Sequence, residues 1–256
     1  MLPQPRRSPH VRVATEDDMA AIHSWLLRQD RDGVEGSFLC NWDLTLGCQR
    51  AGELIVFIDP ASQVPVAYQW GMLLEPGILE VRADKRGTGI GRVMVEHRLA
   101  DVRERNEDIL FIQCTPASSV PFWTRMGFRL VETTSGMGGR SDVKHAYRIM
   151  PRPLPFAAQG DAVQIEVQWF GPERKWAPDA PALAASAPAA VRSPNGGIRF
   201  AERVHGFGRT AGGDLVVRVA VQGEEIYCDK AKYEKAQALG LQRCRNGFYL
   251  DGLWLP

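Results

Sequence analysis

The sequence predicts an α/β (α+β) protein in which a mixed helix-and-strand domain precedes a smaller, β-rich domain. Three observations support this prediction. Strand and helix patterns alternate through residues 11–150. A proline cluster at 151–155 then interrupts strand pairing, because proline donates no ladder hydrogen bond. Short strand patterns around one helical stretch follow. We therefore expect a disordered tail at 1–10, the mixed domain at 11–150, a linker at 151–160 and an accessory domain at 161–256.

Composition narrows the class of protein. The chain has 256 residues, 45% of them hydrophobic and 24% charged, which is typical of soluble globular proteins. A net charge of +1 gives no overall attraction to nucleic acid or to an anionic membrane. No apolar run approaches the ~18 residues of a membrane span, and the first ten residues lack the apolar core of a secretory signal. Five cysteines without metal-ligand spacing predict reduced thiols in the cytoplasm and no metal site.

The first elements of the mixed domain are a short strand and a capped helix. Residues 11–14 have strand character. Thr15 and Asp18 then form the pattern of a capping box, with Asp in place of the usual Glu, and an apolar face at helical spacing follows. A second helical stretch covers residues 41–49.

The middle of this domain contains three predicted strands and an amphipathic helix. Residues 54–58 and 64–71 are apolar, turn-bounded segments and predict a β-hairpin. A Pro-Gly pair introduces a further strand at 78–81. A glycine-rich turn separates that strand from a helix at 90–105, whose apolar positions recur every three or four residues.

The end of the mixed domain is predicted as a strand at 109–113, a short helix at 119–126 ended by glycine, and strands at 128–132 and 145–149. The Gly/Ser-rich segment 133–142 between those last strands is predicted to be a loop.

The C-terminal part carries strand patterns at 163–169, 215–221 and 225–227 around one predicted helix at 229–239. The Ala/Pro-rich segment 177–195 is predicted to be a linker or surface loop. No motif in this part points to chemistry, and we expect it to cover an acceptor site, to mediate dimerisation or to bind a partner protein.

The turn between the strand at 78–81 and the following helix has the features of a phosphate site. Gly87, Gly89 and Gly91 allow a close backbone approach, and the first helical turn offers unpaired N–H donors at the positive end of the helix dipole. Arg86 adds a candidate charge-assisted contact.

Three glycine motifs compete for this loop. A Walker A loop requires Gly-Lys-Ser/Thr, but Arg92 follows Gly91. The dinucleotide fingerprint G-x-G-x-x-G is not met, because the glycines fall as G-x-G-x-G. The pattern Arg-x-x-Gly-x-Gly is met by Arg86, Gly89 and Gly91, and its place between a strand and an amphipathic helix favours phosphate binding over a plain turn.

Residues 79–91 (LEVRADKRGTGIG) and 121–128 (PFWTRMGF) make the segment 11–150 resemble the GCN5-related N-acetyltransferases (GNAT family). The resemblance implies a mixed sheet that splays open between the strands at 78–81 and 109–113, with acetyl-coenzyme A held in the opening as co-substrate. Its pantetheine would pair with backbone groups of Val81 and Ala83. The residues that the resemblance and the loop chemistry together place at acetyl-CoA are Val81, Arg82, Ala83, Arg86, Gly87, Thr88, Gly89, Ile90, Gly91, Arg92, Ser118 and Trp123.

Glu80 is the candidate general base for deprotonating an acceptor amine. It alternates with Leu79 and Val81 and lies near the expected opening, where an apolar environment raises a carboxyl pKa toward the working pH. The alternative is a surface glutamate at the edge of the sheet. Some members of the family place a glutamate base in this strand, and others use ordered water.

The general acid is less well defined. Trp123 stands where the family often has tyrosine, and an indole N–H is no practical acid, so we expect it to pack against the cofactor or the core. Ser118 and Ser119 either hydrogen-bond the thioester or pantetheine, or cap the short helix. Tyr68, on the neighbouring strand, is a fallback donor.

Two functions follow from this sequence. The first is an acetyl-CoA-dependent N-acetyltransferase that acts on a primary amine of an unidentified small molecule or protein, with a homodimer as one assembly to consider. The second is a catalytically weak acyl-CoA-binding or protein-interaction module with the same fold. The intact glycine loop and Glu80 favour the first function, and Trp123 favours the second.

Overall fold

The computed structural model describes residues 7–131, 143–155, 160–208 and 214–255. The chain divides into two compact units, residues 1–148 and 149–256, so the division lies beside the proline cluster. The predicted fold class is confirmed, since helices and strands mix in the first unit and strands dominate the second. Within these described ranges no helix combines the length and apolarity that crossing a membrane requires.

The first unit contains seven strands and four helices among its described residues. The strands are β1 (Val11–Val13), β2 (Ile55–Ile58), β3 (Pro65–Trp70), β4 (Ile78–Val81), β5 (Ile109–Cys114), β6 (Arg129–Leu130) and β7 (Lys144–Ile149). The helices are α1 (Glu16–Arg31), α2 (Trp42–Arg50), α3 (Ile90–Glu104) and α4 (Val120–Arg125). Short 3₁₀ turns precede α2 and α4 and follow β4.

Two sheets meet at one end of the first unit. Strands β1, β2, β3 and β4 form one antiparallel sheet in that order, and β5, β7 and β6 form the other. A single parallel bridge, Leu74 to Phe111, lies between them, before β4 begins. Strands β4 and β5 belong to different sheets, so the sheet is split between them, as the resemblance to the GNAT family implied.

The four-stranded sheet is covered on both faces by helices. On one face the apolar side of α1 packs in a core that contains Ile22, Trp25, Leu26, Leu54, Val56, Tyr68 and Trp70. On the other face α3 contributes to a core that contains Ile55, Phe57, Val66, Ala67, Ile90 and Met94. The predicted capping box is confirmed: Thr15 Oγ1 accepts from Asp18 N, and Asp18 Oδ2 accepts from Thr15 N at 2.7 Å. It fixes where α1 begins, and hence where its buried face points.

The predicted N-terminal tail is shorter in the structure. Arg7 forms ion pairs with Asp101 and Glu104, each at 2.9 Å, and the His10 carbonyl accepts from Ile58 N at 2.9 Å. Residues 7–10 therefore contact the first unit, while 1–6 lie outside the described residues. The predicted loop at 133–142 also lies outside them.

The second unit is built from two antiparallel sheets. Its strands are β8 (Asp161–Ala162), β9 (Ile165–Phe170), β10 (Ala184–Ser186), β11 (Ala190–Arg192), β12 (Ile198–Phe207), β13 (Val216–Val221), β14 (Glu224–Lys230), β15 (Gln242–Cys244) and β16 (Gly247–Leu253), and its helix is α5 (Glu234–Ala238). The sheet orders are β10-β9-β13-β14 and β15-β16-β12-β11-β8. Inward side chains of both sheets, among them Val167, Trp169, Phe200, Val217 and Leu250, share one core.

Several predictions for the second unit were wrong. The segment 177–195, predicted as a linker or loop, contains β10 and β11, which pair with β9 and β12. The helix predicted at 229–239 is only α5, because Asp229 and Lys230 extend β14 in register with β13. Strands β12, β15 and β16 were not predicted. Alanine, glycine and charged residues fill much of these strands, so they lack the β-branched alternation by which strands are detected.

The predicted linker at 151–160 also differs from its expected role. Leu154 N donates to Ala201 O at 2.9 Å, and Arg203 N donates to Arg152 O at 3.0 Å. This segment therefore pairs with β12 of the second unit, at the residues where the register between β12 and β16 is interrupted.

Candidate active site

The glycine loop between β4 and α3 has the backbone geometry of a ligand cradle. Gly87 and Gly89 have positive φ values of 79° and 91°, a region that side-chain-bearing residues rarely adopt. A Cβ built on either residue meets nothing within 4 Å, so the space beside both glycines is open.

The N-terminus of α3 is uncapped by side chains. Gly89 is the N-cap residue, and no side chain there accepts from the first helical turn. Gly91 lies close to α4, because a Cβ on it would be 3.3 Å from the Phe122 ring and 3.7 Å from the Val81 side chain. The first-turn N–H groups and the adjoining open space suit a phosphate-bearing molecule.

Most side chains around this loop contact other protein groups. Arg82 forms an ion pair with Asp84, Thr88 Oγ1 donates to Lys85 O, and Arg92 pairs with Glu96 on the surface of α3. Ile90 is 9% exposed and belongs to the core beneath the helix. The open loop geometry thus comes from the glycines, whereas contacts from Arg82, Thr88, Ile90 and Arg92 to acetyl-CoA stay predictions.

Arg86 crosses from the glycine loop toward the segment that follows α1. Its Nε donates to Val81 O at 3.0 Å, and its Nη1 donates to Glu35 O at 2.8 Å. Glu35 Oε2 in turn accepts from Ser118 Oγ at 2.9 Å. The segment 35–38 therefore connects the β4 side of the opening to the α4 side.

The end of β4 differs in one respect from the expected pantetheine site. Arg82 N donates to Val66 O, so by alternation the backbone groups of Val81 point away from β3 and toward the opening. Ala83, however, uses both backbone groups within the protein: its N–H donates to Gln29 Oε1 at 2.6 Å, and its carbonyl accepts from Arg86 N at 3.2 Å. The predicted backbone contact of Ala83 with acetyl-CoA is thus not available in this arrangement.

Glu80 lies at the centre of a buried hydrogen-bond network. Its side chain is on the face of β4 that packs toward α1, and the residue is 2% exposed. Gln29 Nε2 donates to Oε1 at 2.9 Å. Tyr68 OH and Phe38 N donate to Oε2 at 2.9 Å and 3.1 Å. The alternative of a surface glutamate is therefore wrong.

Burial dominates the electrostatics of this carboxyl group. Desolvation raises the pKa of Glu80 from 4.5 to about 7. The donors at Phe38, Tyr68 and Gln29, together with the positive charge of Arg86, oppose this shift because they stabilise the carboxylate. A carboxyl that titrates near neutral pH is suited to accepting a proton in catalysis.

The position of Tyr68 does not suit a donor to a substrate. It is fully buried on β3, opposite Glu80 in the sheet register, and its hydroxyl donates to Glu80. Burial, followed by the nearby Glu80 charge, holds the pKa of Tyr68 well above its usual 10. The structure thus makes Tyr68 a hydrogen-bond partner of the candidate base rather than a general acid.

The two serines before α4 do not cap that helix. Ser119 is the N-cap residue, but its side chain makes no capping bond, so this alternative is wrong. Its Oγ is buried and has no hydrogen-bond partner among the described residues. This hydroxyl is therefore available to donate to a bound molecule.

Trp123 packs against the aromatic side chains of Phe122 and Phe128. Its ring lies 5.0 Å from that of Phe122 and 5.3 Å from that of Phe128, both in edge-on geometry, and the residue is 9% exposed. These contacts support the core alternative for Trp123. Phe122, rather than Trp123, lies against the start of α3.

Sequence reasoning missed Gln29, the Phe38 N–H, Glu35 and Gly36. Gly36 has φ 74°, and a Cβ there would be 2.8 Å from Pro116 Cδ, so the segment passes close to the end of β5. No local pattern marks these residues, because each acts on a group far away in sequence. Cys114 is buried and its pKa is raised to about 11, which keeps the thiol protonated and supports core packing.

Acetyl-CoA fits the groups present. The open glycines, the uncapped α3 N-terminus and the unpaired Ser119 hydroxyl are three features that a phosphate-bearing acyl carrier would satisfy. Across the described parts of the chain, no three His, Cys, Asp or Glu side chains are grouped to hold a metal ion.

The split sheet and the glycine loop agree with the arrangement that the resemblance to the GNAT family implies for the N-terminal unit. The chain is similar to the streptothricin acetyltransferase of Streptomyces lavendulae, with 35% identity over 101 residues. The match covers 37% of this chain and 53% of the relative, so the chain spans about half the length of that protein. No family model matches the chain.

Solved structures similar to this chain have low sequence identity. A GNAT-family acetyltransferase from Staphylococcus aureus aligns with a TM-score of 0.42 and 14% identity over 54% of this chain and 97% of that one. A ribosomal-protein-alanine N-acetyltransferase from Brucella melitensis aligns with a TM-score of 0.41 and 22% identity, over 55% of this chain and 99% of that one. A Mycobacterium tuberculosis protein in complex with CoA aligns with a TM-score of 0.42 and 18% identity, over 56% of this chain and 99% of that one.

Proposed function

We propose that this protein is an acetyl-CoA-dependent N-acetyltransferase that acetylates a primary amine of a small molecule or a protein. The observation that carries the proposal is the position of Glu80. A buried carboxyl with a pKa of about 7 lies on β4, beside the opening between the sheets and next to an open, glycine-lined helix N-terminus. A proton acceptor and an anion site are thus built on neighbouring segments.

The residues divide the binding of acetyl-CoA between them. The α3 N-terminus and the glycines after Arg86 hold the pyrophosphate through backbone N–H groups. The outward N–H of Val81 aligns the pantetheine along the edge of β4, while the Val81 carbonyl already accepts from Arg86 Nε. Ser119 Oγ donates to the bound molecule near the start of α4, which gives this buried hydroxyl its missing partner.

The proposed reaction forms a C–N bond and breaks the thioester C–S bond. Acetyl-CoA supplies the activated acetyl group. Glu80 takes a proton from the acceptor ammonium, and the free amine then attacks the thioester carbonyl. The second amine proton leaves with the CoA thiolate as a thiol. Glu80 then releases its own proton to solvent, so charge and protons balance. Tyr68, Gln29 and the Phe38 N–H hold the Glu80 carboxylate in place throughout.

A direct test is thiol release from acetyl-CoA in the presence of amines. The panel should contain a polyamine, amino acids, aminoglycosides, lysine- and N-terminal peptides, and streptothricin as the compound named for the relative. Release of CoA that requires one amine, with an acetylated product of matching mass, supports the proposal. Tight acetyl-CoA binding without release in any member overturns it and favours the acyl-CoA-binding module.

We expect the first unit to bind acetyl-CoA without the second. The reason is that β1 to β7, the glycine loop and the Glu80 network all belong to residues before 150. A chain truncated near Ala158 should unfold cooperatively and keep the acetyl-CoA affinity of the full chain, as measured by calorimetry. A truncated chain that is unfolded would show that the two units form one cooperative structure.

A further inference from the structure

We propose that Gln29 is a positioning residue that fixes the Glu80 carboxylate relative to the end of β4, where acetyl-CoA is aligned. This inference rests on the proposed function. Gln29 lies near the carboxyl end of α1, is 5% exposed, and contacts both groups through one side-chain amide. It is separated from Glu80 by 51 positions in the sequence, so no motif marks it.

The orientation of the Gln29 amide is determined by the protein. Ala83 N–H can only donate, so the amide oxygen must face it, at 2.6 Å. The amide nitrogen is thereby directed to Glu80 Oε1, at 2.9 Å. Gln29 consequently presents a donor, not an acceptor, to the carboxylate, and this favours the charged form that accepts a proton.

The two hydrogen bonds of Gln29 connect the proposed base, Glu80, to the backbone near the proposed pantetheine site. Ala83 follows Val81 by two residues, and Val81 is where the pantetheine is proposed to pair. Gln29 therefore connects the base to the backbone that follows the proposed pantetheine site. Groups that face Glu80 from other elements are Tyr68 on β3, Arg86 in the glycine loop and the Phe38 N–H. Gln29 is the hydrogen-bond donor to Oε1, while Tyr68 and Phe38 donate to Oε2.

The decisive variant is Gln29→Met, which keeps the length of the side chain and removes both hydrogen bonds. Loss of a donor to the carboxylate should raise the Glu80 pKa by about half a unit or more. The acid limb of the kcat/KM profile should move to higher pH by the same amount, and kcat should fall about tenfold because the base is less well aligned. The affinity for acetyl-CoA should change less than kcat.

Gln69→Met is the matched control. Gln69 is also a buried glutamine of the first unit, 2% exposed, and follows Tyr68 directly on β3. Alternation places its side chain on the opposite face from Tyr68 and Glu80. This substitution should leave the acid limb unchanged, whatever it does to the stability of the fold.

A titration that needs no turnover separates this inference from the proposed function. The Glu80 carboxyl can be followed by NMR with ¹³C-labelled glutamate and assigned by the signal that Glu80→Gln removes. Its midpoint should rise in Gln29→Met even if no amine is acetylated. An unchanged midpoint in folded Gln29→Met overturns the positioning role, whereas absence of CoA release from the wild type overturns only the proposed function.

Gln29→Glu covers the case in which the methionine variant does not fold. It retains an acceptor for Ala83 N–H and places a second carboxyl against Glu80. The two groups should then titrate as a coupled pair, in two separated steps rather than one. A single, unshifted step would show that residue 29 does not contact the carboxylate in solution, and would overturn the inference.

Discussion

Replacing Glu80 with glutamine is expected to lower kcat about 100-fold, because one positioned acid–base group contributes roughly 10²–10⁴-fold in enzymes. The wild-type rate should fall tenfold per pH unit below the Glu80 pKa of about 7, since only the carboxylate accepts a proton. Glutamine has no such titration, so the acid limb should disappear from the residual activity. Steady-state kinetics from pH 5 to 9 measure both effects.

The same substitution should change how stability depends on pH. The folded-state pKa of Glu80 lies above its ordinary value of 4.5, so folding favours the protonated form. Its stabilising contribution is present below pH 4.5 and is lost as the pH rises to about 7. Denaturant unfolding should show this loss in the wild type and not in Glu80→Gln. Glutamine also replaces one carboxylate oxygen by an N–H₂ group, which then faces either Gln29 Nε2 or the donors from Tyr68 and Phe38. This donor–donor contact offsets part of the stability gained at high pH.

Glu53→Gln is the control for both measurements. Glu53 is an exposed carboxylate of the same unit, just before β2. It should retain the wild-type acid limb and the wild-type stability profile. Unaltered kinetics in folded Glu80→Gln would instead assign proton removal to water or to another residue.

Local signals predicted the first unit well. The capping box of Thr15 and Asp18, the strand β4 and the start of α3 depend on residues that are neighbours in sequence, so their patterns are visible before folding. Glu80 was found the same way, from its alternation in β4. The size of the rise in the Glu80 pKa, to about 7, was not predictable from the sequence. The burial that raises this pKa comes from α1 and from the segment 35–38.

The missed features are those that depend on contacts between distant segments. Gln29, Phe38 and Glu35 belong to segments without motifs and reach the site only after α1 packs on the sheet. The sequence places Tyr68 beside Glu80 but does not show its complete burial, which directs the Tyr68 hydroxyl to Glu80 instead of to a substrate. In the second unit, short alanine-containing strands such as β10 are held by pairing with β9 and have little intrinsic strand preference.

Gly89→Glu is expected to weaken acetyl-CoA binding by at least about 100-fold, which corresponds to about 3 kcal/mol. Gly89 is the N-cap residue of α3, and the direction of its missing side chain is open space. A carboxylate placed there competes with the pyrophosphate for the helix N-terminus and repels its charge. Calorimetry with acetyl-CoA measures the change, and thermal unfolding shows that the variant is folded.

Strain at a positive φ is the effect to separate from loss of the ligand site. A side chain at the φ of 91° costs roughly 1–2 kcal/mol of stability, but this cost is present both with and without ligand and therefore does not alter affinity. Gly52→Glu is the matched control, because Gly52 has φ 72°, an equally open Cβ direction, and a place at the end of α2. We expect the two variants to lose similar amounts of stability and only Gly89→Glu to lose affinity for acetyl-CoA. This result would locate acetyl-CoA at the α3 N-terminus. Wild-type affinity in folded Gly89→Glu would remove the glycine loop from the binding site.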